Sequence, residues 1–255
     1  MKGVVLAAGN SSRMGRPKAL LEHEGVSFIE IVCGKLRGLG LEGITAVLGR
    51  DHEMVLKKWR PQKEEIVLND RPELGQIHSL RLALKEISSE ASFLICLVDQ
   101  PLIKQETYEA VKDFWLKNPD CIVIPRCRRA GEPQVSGLKS QVCPPDPLRV
   151  THDASRFKRG HPIIIPAVYR DLCFSGPVDK GLHWVTHHEK VRVKDLETED
   201  SGILRDFDTP EDYEKLETGG LFVLSFDWNP PIFYYLENKA GLKEDECRKL
   251  TWIKK

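Results

Sequence analysis

The sequence predicts a three-layer α/β sandwich around a mostly parallel sheet, and three observations predict it. Short apolar runs alternate through the first half with segments whose apolar residues recur at helical spacing. One run, Phe93 to Val98, is apolar at every position, as a strand covered on both faces must be. Polar clusters follow the runs that end at Ala8, Leu68 and Val98. In a parallel sheet these clusters share the carboxyl edge, where ligands bind.

Taken in order, Val4 to Ala8 read as a buried strand that Gly9 ends. Ser27 to Arg37 place Phe28, Ile31, Val32, Lys35 and Leu36 at helical offsets, so one apolar face can pack on a sheet. Ile44 to Leu48 form a second strand, and Asp51 suits the N-cap of a helix carrying Val55 and Trp59. A short third strand spans Ile66 to Leu68. A helix from about Gln76 follows, with Leu80, Ala83, Leu84 and Ile87 on one face. After the Phe93 run, Tyr108, Val111 and Trp115 mark a helix and Cys121 to Pro125 a strand.

The regularity then stops. Residues from about 126 to 159, rich in Pro, Arg, Gly and Ser, read as an insertion: a lid, an interface or an unstructured segment. Gly160 to Pro166 return to a strand, and residues 191 to 193 make a weak one. Thr209, Pro210, Glu211 and Asp212 spell a helix start: hydroxyl N-cap, proline at the first position, acids in the first turn. That helix is expected to end near Gly219 and Gly220. The main domain is therefore placed at residues 1–219. Residues 220–255 form an extension, expected to pack on that domain rather than to serve as an arm for a partner.

Composition narrows the function classes. An apolar share of 41% and a charged share of 30% are those of an ordinary globular chain. Lys plus Arg balance Asp plus Glu at 38 each, which argues against nucleic acid or a membrane surface as partner. No apolar run approaches the roughly 20 residues that span a bilayer. The N-terminus lacks the signal-peptide pattern. Seven cysteines without a C-x-x-C pair suggest reduced, structural thiols and a cytoplasmic location.

The chemistry concentrates in Gly3 to Leu21. Gly9 and Gly15 let backbone N–H groups approach a bulky anion, and Arg13, Arg16 and Lys18 supply positive charge beside them. Such a loop suits a nucleoside triphosphate, whose phosphates must be neutralised before a nucleophile can approach. Neither the Walker spacing nor G-x-G-x-x-G fits. Val98-Asp99-Gln100-Pro101 place a carboxylate directly after the most apolar strand. A hard oxygen there suits Mg²⁺, although a plain N-cap aspartate is the bland alternative.

The opening L-A-A-G-N-S-S-R-M-G-R-P-K closely resembles the L-A-A-G-x-S-x-R-M-G-x-x-K signature of the MobA-like NTP-transferases, which include molybdenum cofactor cytidylyltransferases. The resemblance implies a Rossmann-like fold of the nucleotide-diphospho-sugar transferase type. It further implies transfer of a nucleoside monophosphate from an NTP to a phosphate-bearing acceptor, with molybdopterin the leading acceptor. A molybdoenzyme or cofactor-carrier protein would be a further partner. By the same resemblance Arg13 and Lys18 hold the triphosphate. Leu6, Ala7, Ala8 and Gly9 contact base and ribose through backbone groups. Asp99 stands for the aspartate of G-D-x-P, with Val98 replacing glycine. Asp208, with Asp206 as alternate, supplies the second Mg²⁺ ligand within R-D-F-D-T-P-E-D-Y. Gly75 and Ser79 match the glycine and serine of N-P-x-x-x-x-G-x-x-x-S and serve the nucleotide. His161, in Gly160-His161-Pro162, lies toward the acceptor. Ala8, where guanylyl-transferring members more often carry glycine, tilts the expected nucleotide toward CTP.

His183, His187 and His188 could share a helix face as metal ligands. With Trp184 where a zinc protease has its glutamate, a surface or partly buried histidine cluster is the expectation.

Overall fold

The strands form where the apolar runs lie. A computed structural model describes residues 1–9, 11, 14–128 and 156–217. It begins with β1 (Lys2–Ala7), followed by the short antiparallel pair β2 (Glu22–His23) and β3 (Val26–Ser27) and by helix α1 (Phe28–Gly38). Next come β4 (Ile44–Leu48), α2 (His52–Lys58), β5 (Glu64–Leu68), α3 (Gln76–Glu86), β6 (Phe93–Leu97), α4 (Gln105–Leu116) and β7 (Ile122–Arg128). The second half adds β8 (Phe157–Arg159), β9 (Ile163–Ile165), α5 (Arg170–Ser175), α6 (Gly181–Thr186), β10 (Val193–Glu197) and α7 (Pro210–Glu217).

The main sheet runs β10-β7-β9-β6-β1-β4-β5, with β8 beside β7. β1, β4, β5 and β6 are mutually parallel; β9 lies antiparallel between β6 and β7, and β10 runs parallel to β7. Register pairs Ala7 with Leu48, Leu48 with Leu68, and Leu6 with Leu97, so the loops after four strands leave from one edge.

Successive strand residues face opposite layers. Val5, Ala46, Leu94, Cys96, Val123 and Ile164 pack with Phe28, Ile29, Val32 and Leu36 of α1 and with Tyr108 and Val111 of α4. Val4, Leu6, Val47, Phe93, Ile95, Ile163 and Ile165 pack with Ile77, Leu80, Ala83 and Leu84 of α3 and with Leu182 and Val185 of α6. Each large side chain fully buried this way stabilises by roughly 1.5–3 kcal/mol, before the entropy of ordering is subtracted. Among the described residues, Cys33, Cys96, Cys121, Cys127 and Cys173 are buried and unpaired. No helix of the described residues is long and apolar enough to cross a membrane.

Several boundaries differ from the sequence expectation. β5 starts at Glu64, a charged residue hidden in the sheet, where Arg37 Nη1 lies 2.5 Å from its Oε1 and the N–H groups of Gln62 and Lys63 donate to its Oε2. β7 runs on to Arg128 because β8 pairs with its last three residues, Arg126 with Arg159 and Arg128 with Phe157. The Arg126 and Arg128 guanidinium groups lie over the Phe157 ring at 4.6 and 5.4 Å. Both ends of the expected 126–159 insertion are thus strand, while 129–155 lie outside the described residues. The weak strand expected at 191–193 is displaced to Val193–Glu197, where each residue pairs with β7. Asp51 occupies the N-cap of α2, yet its side chain makes no capping bond.

α7 begins as expected. Thr209 Oγ1 accepts the Asp212 N–H at 3.3 Å while Asp212 Oδ2 accepts the Thr209 N–H at 3.2 Å, a reciprocal capping box. Its Tyr213 ring lies 6.1 Å from Phe28, and the Tyr213 hydroxyl donates to the Glu22 carbonyl at 2.9 Å. Met1–Leu216 form one unit. The tail expected at 220–255, and the helix end near Gly219, lie outside the described residues.

Candidate active site

Three loops at the carboxyl edge converge on one place. In the first, after β1, the Met14 and Gly15 N–H groups donate to the Ser11 carbonyl at 3.0 Å, and Gly15 takes φ +70° to close that turn. The Lys18 N–H donates to Ser11 Oγ at 3.1 Å. This folded loop delivers the Lys18 ammonium between two carboxylates. Nζ lies 3.0 Å from Asp99 Oδ2 and makes a still closer contact with Asp208 Oδ1. The second loop, after β6, carries Asp99; Val98, where the family motif has glycine, is buried in the same core layer as the residues of α1. The third precedes α7 and carries Asp208. Residues 81 and 190 positions away along the chain thus meet at Lys18.

Electrostatics fit this geometry. Burial works against the charged form of Lys18, but attraction to Asp99 and hydrogen bonds to Asp208 and Asp99 outweigh it, and its pKa is raised. Asp99 is pushed above the ordinary carboxylate value by burial, opposed by Lys18 and reinforced by the charges of Asp206 and Asp208. Side-chain exposure is 14% for Lys18, 20% for Asp99 and 45% for Asp208, so the last is the most exposed of the three.

Beside this trio lies a cleft of about 290 Å³. Leu6, Ala7, Ala8, Gly9, Lys18, Gly75, Ser79 and Asp99 all line it, so eight residues expected from sequence come together. Gly75 takes φ +79°, a conformation that favours glycine, and turns the chain into α3. Ser79 is buried; its Oγ accepts from Asn69 Nδ2 at 2.8 Å, leaving the hydroxyl proton to donate. Arg13 lies outside the described residues.

The two carboxylates left open by the sequence separate in the structure. Asp208 joins Lys18 and Asp99, whereas Asp206 Oδ1 accepts from Gln100 Nε2 at 2.5 Å. His161 does not line the cleft. Its Nε2 is shielded and unpartnered, and burial pushes its pKa down to about 4, so the imidazole is neutral at pH 7. The His161–Pro162 peptide is cis, and Gly160 packs so tightly on Ile203 that a Cβ would lie 2.2 Å from its carbonyl oxygen. His183 and His187 stack with ring centroids 3.8 Å apart, and His187 Nδ1 is 3.0 Å from the His183 carbonyl. Among the described residues no group of three His, Cys, Asp or Glu side chains is placed to hold a metal.

Sequence reasoning missed Gly49, Asp51 and Gln76, which also line the cleft. At Gly49 a Cβ would sit 3.0 Å from the Ala8 carbonyl oxygen and 3.2 Å from the Ala8 Cα, so glycine lets two loops touch backbone to backbone. A glycine directly after a buried strand was the signal available.

The family model for the MobA-like NTP transferase domain matches residues 3–191. The chain belongs to that family. Among curated relatives, a probable molybdenum cofactor guanylyltransferase of Bacillus velezensis is 31% identical over 142 residues, 54% of this chain and 67% of that protein. One from Rhodopirellula baltica is 32% identical over 125 residues, 48% and 59%. The bifunctional protein GlmU of Clostridioides difficile is 26% identical over 119 residues, 46% of this chain. The matched region spans about a quarter of that GlmU, and between a half and two thirds of the two guanylyltransferases. Among solved structures, Rv0371c of Mycobacterium tuberculosis superposes with a TM-score of 0.66 at 25% identity, covering 84% of this chain and 95% of that one. Molybdopterin-guanine dinucleotide biosynthesis protein A of Archaeoglobus fulgidus does so at 0.57 and 17%, covering 86% and 97%, a likeness of fold. The chain thus carries a MobA-like NTP transferase domain, with the expected mostly parallel α/β sheet.

Proposed function

We propose that this protein transfers a nucleoside monophosphate from an NTP to a phosphate-bearing acceptor, molybdopterin in the leading reading, and releases pyrophosphate. The observation that carries it is the Lys18 ammonium held between Asp99 and Asp208 at the mouth of the cleft. An ammonium there stands in for a second cation. Two carboxylates side by side suit Mg²⁺, which binds through one or two carboxylates and completes its shell with water and substrate phosphates. The residues present therefore fit the ion, with Asp99 and Asp208 as its holders. When bound, Mg²⁺ would neutralise phosphate charge and polarise the phosphoryl group under attack. A crystal structure of Rv0371c in complex with manganese supports a divalent ion for this fold.

The rest of the reaction falls to the chain's own groups. Lys18 would offer its ammonium to the triphosphate, joined by Arg13, and stabilise the charge that grows on the leaving pyrophosphate. Among the described residues nothing lies within 4 Å of the position a Cβ would take at Gly9, which supports a close approach of the phosphates to that backbone. Backbone groups of Leu6 to Gly9, the turn at Gly75 and the Ser79 hydroxyl would hold base and ribose. An oxygen of the acceptor phosphate attacks the α-phosphorus, and the bond to pyrophosphate breaks as the new bond forms.

Two nucleobases compete. Ala8 favours CTP; the names of the Bacillus velezensis and Rhodopirellula baltica relatives favour GTP. Pyrophosphate release, measured with Mg²⁺ and each NTP, with and without molybdopterin, separates them. Release only with a sugar or polyol phosphate would reassign the acceptor. Nucleotide binding without release from any pair would make the protein a non-catalytic nucleotide-binding regulator.

A further inference from the structure

The segment that carries Asp208 is zipped to the segment that carries Asp99. Asp200 Oδ2 accepts from the Lys104 N–H at 2.8 Å and from the Thr107 hydroxyl at 2.7 Å. Gly202 sits so close that a Cβ would lie 2.6 Å from the Leu102 carbonyl oxygen. Nearest the cleft, the Phe207 N–H donates to the Asp99 carbonyl at 3.2 Å. Gln100 is buried within this zipper. Its Nε2 donates to Asp206 Oδ1 at 2.5 Å and to the Ile203 carbonyl at 3.4 Å, while its Oε1 is buried and has no partner. The amide orientation follows from its neighbour: reversed, Oε1 would face a carboxylate. A buried amide with an idle acceptor is a costly choice unless its N–H groups are needed.

We infer that Gln100 is a positioning residue whose carboxamide, acting through Asp206, fixes Asp208 relative to Asp99. Asp206 and Asp208 flank Phe207, whose backbone N–H is tied to the Asp99 carbonyl and whose ring is buried against Phe28. The Gln100–Asp206 bond adds a side-chain tether between the loop that carries Asp99 and the residue two positions before Asp208. Asp206 accordingly anchors the segment, and Asp208 faces the ligand. This rests on the reading of Asp99 and Asp208 as the cation-holding pair.

The experiment compares Gln100→Ala, Gln100→Glu, Asp206→Asn and the exchange Gln100→Glu/Asp206→Asn with Asp99→Asn and Asp208→Asn. Three quantities are read: Mn²⁺ binding to the protein alone by paramagnetic resonance titration, kcat and KM for pyrophosphate release, and Tm. Gln100→Ala weakens Mn²⁺ binding by roughly tenfold and lowers kcat at least as much. Gln100→Glu is worse, because two carboxylates then face each other. Asp206→Asn stays within about threefold of wild type, since its Oδ1 still accepts from Gln100. The exchange recovers most of the Gln100→Glu loss, because the introduced asparagine amide donates to the introduced carboxylate.

Wild-type Mn²⁺ binding and kcat in Gln100→Ala overturn the inference, as does a lowered Tm with unchanged Mn²⁺ affinity. Asp206→Asn as damaging as Asp208→Asn overturns it too, by making Asp206 a direct cation holder. Should Gln100→Ala fail to fold, Asp206→Asn and the exchange variant still decide. If Asp99→Asn and Asp208→Asn bind Mn²⁺ like wild type, the cation reading falls and takes the inference with it. If they lose binding while every Gln100 variant keeps it, the inference alone falls.

Discussion

The carboxyl edge of the sheet has two unlike halves. Around β1, β4 and β6 it presents a cleft rimmed by ionised groups, with Lys18 already paired to Asp99 and Asp208. Around β7, β8 and β9 it presents a packed cis-proline turn and a neutral imidazole whose Nε2 is hidden. The first half spends charge where a triphosphate brings charge of its own. The second relies on shape, so its residues report on folding more than on chemistry. Substitutions on either side should therefore fail in different ways.

The largest expected effect is at Asp99. Asp99→Asn keeps the side-chain volume and the fold but removes the charge facing Lys18, and turnover falls by about 100-fold or more. Circular dichroism and Tm establish that the fold persists. Near-wild-type kcat would remove Asp99 from the chemistry and erase the contrast between the halves.

The next effect belongs to His161 and is read in stability. Unfolded chains take up a proton on this imidazole as pH falls below 6.5, whereas the folded protein resists until about 4. Folding stability supplied by the neutral ring is complete above pH 6.5 and is lost as pH falls toward 4, by up to about 3 kcal/mol. In His161→Asn the Tm therefore falls less steeply across that window than in wild type. Parallel curves would show that the imidazole is not confined as described.

The smallest effect sharpens the first half. Gly49→Ala pushes on the Ala8 backbone by a few tenths of an ångström, costing roughly 1 kcal/mol or somewhat more. KM for the NTP rises several-fold at nearly constant kcat, because the strain displaces a cleft wall and leaves Lys18 and Asp99 in place. A change confined to kcat would mean that the strain reaches the charged trio.

The sequence made the first half far more legible than the second. Val4 to Ala8 and Phe93 to Val98 announce themselves by unbroken apolarity, and the glycine and cation spacing of the opening loop marks the cleft. β8 gave no such signal, because an edge strand reading Phe157-Lys158-Arg159 owes its form to pairing with Arg126 to Arg128. Glu64 hid the start of β5, since a buried carboxylate paired to Arg37 looks like a surface residue in sequence. The choice between Asp206 and Asp208 was likewise closed to pattern reasoning. It depends on Gln100, whose partner lies 106 positions away.

Phe207 gives the Asp206-Phe207-Asp208 stretch a safeguard. Its ring is buried 5.5 Å from that of Phe28, between two side chains that must stay wet. Inserting or deleting one residue there would thrust a carboxylate into the greasy socket beside α1 and strand the aromatic ring in water. Misthreading at this point cannot pass silently, because any frame that spoils the ion-holding corner also unseats a keystone of the hydrophobic interior.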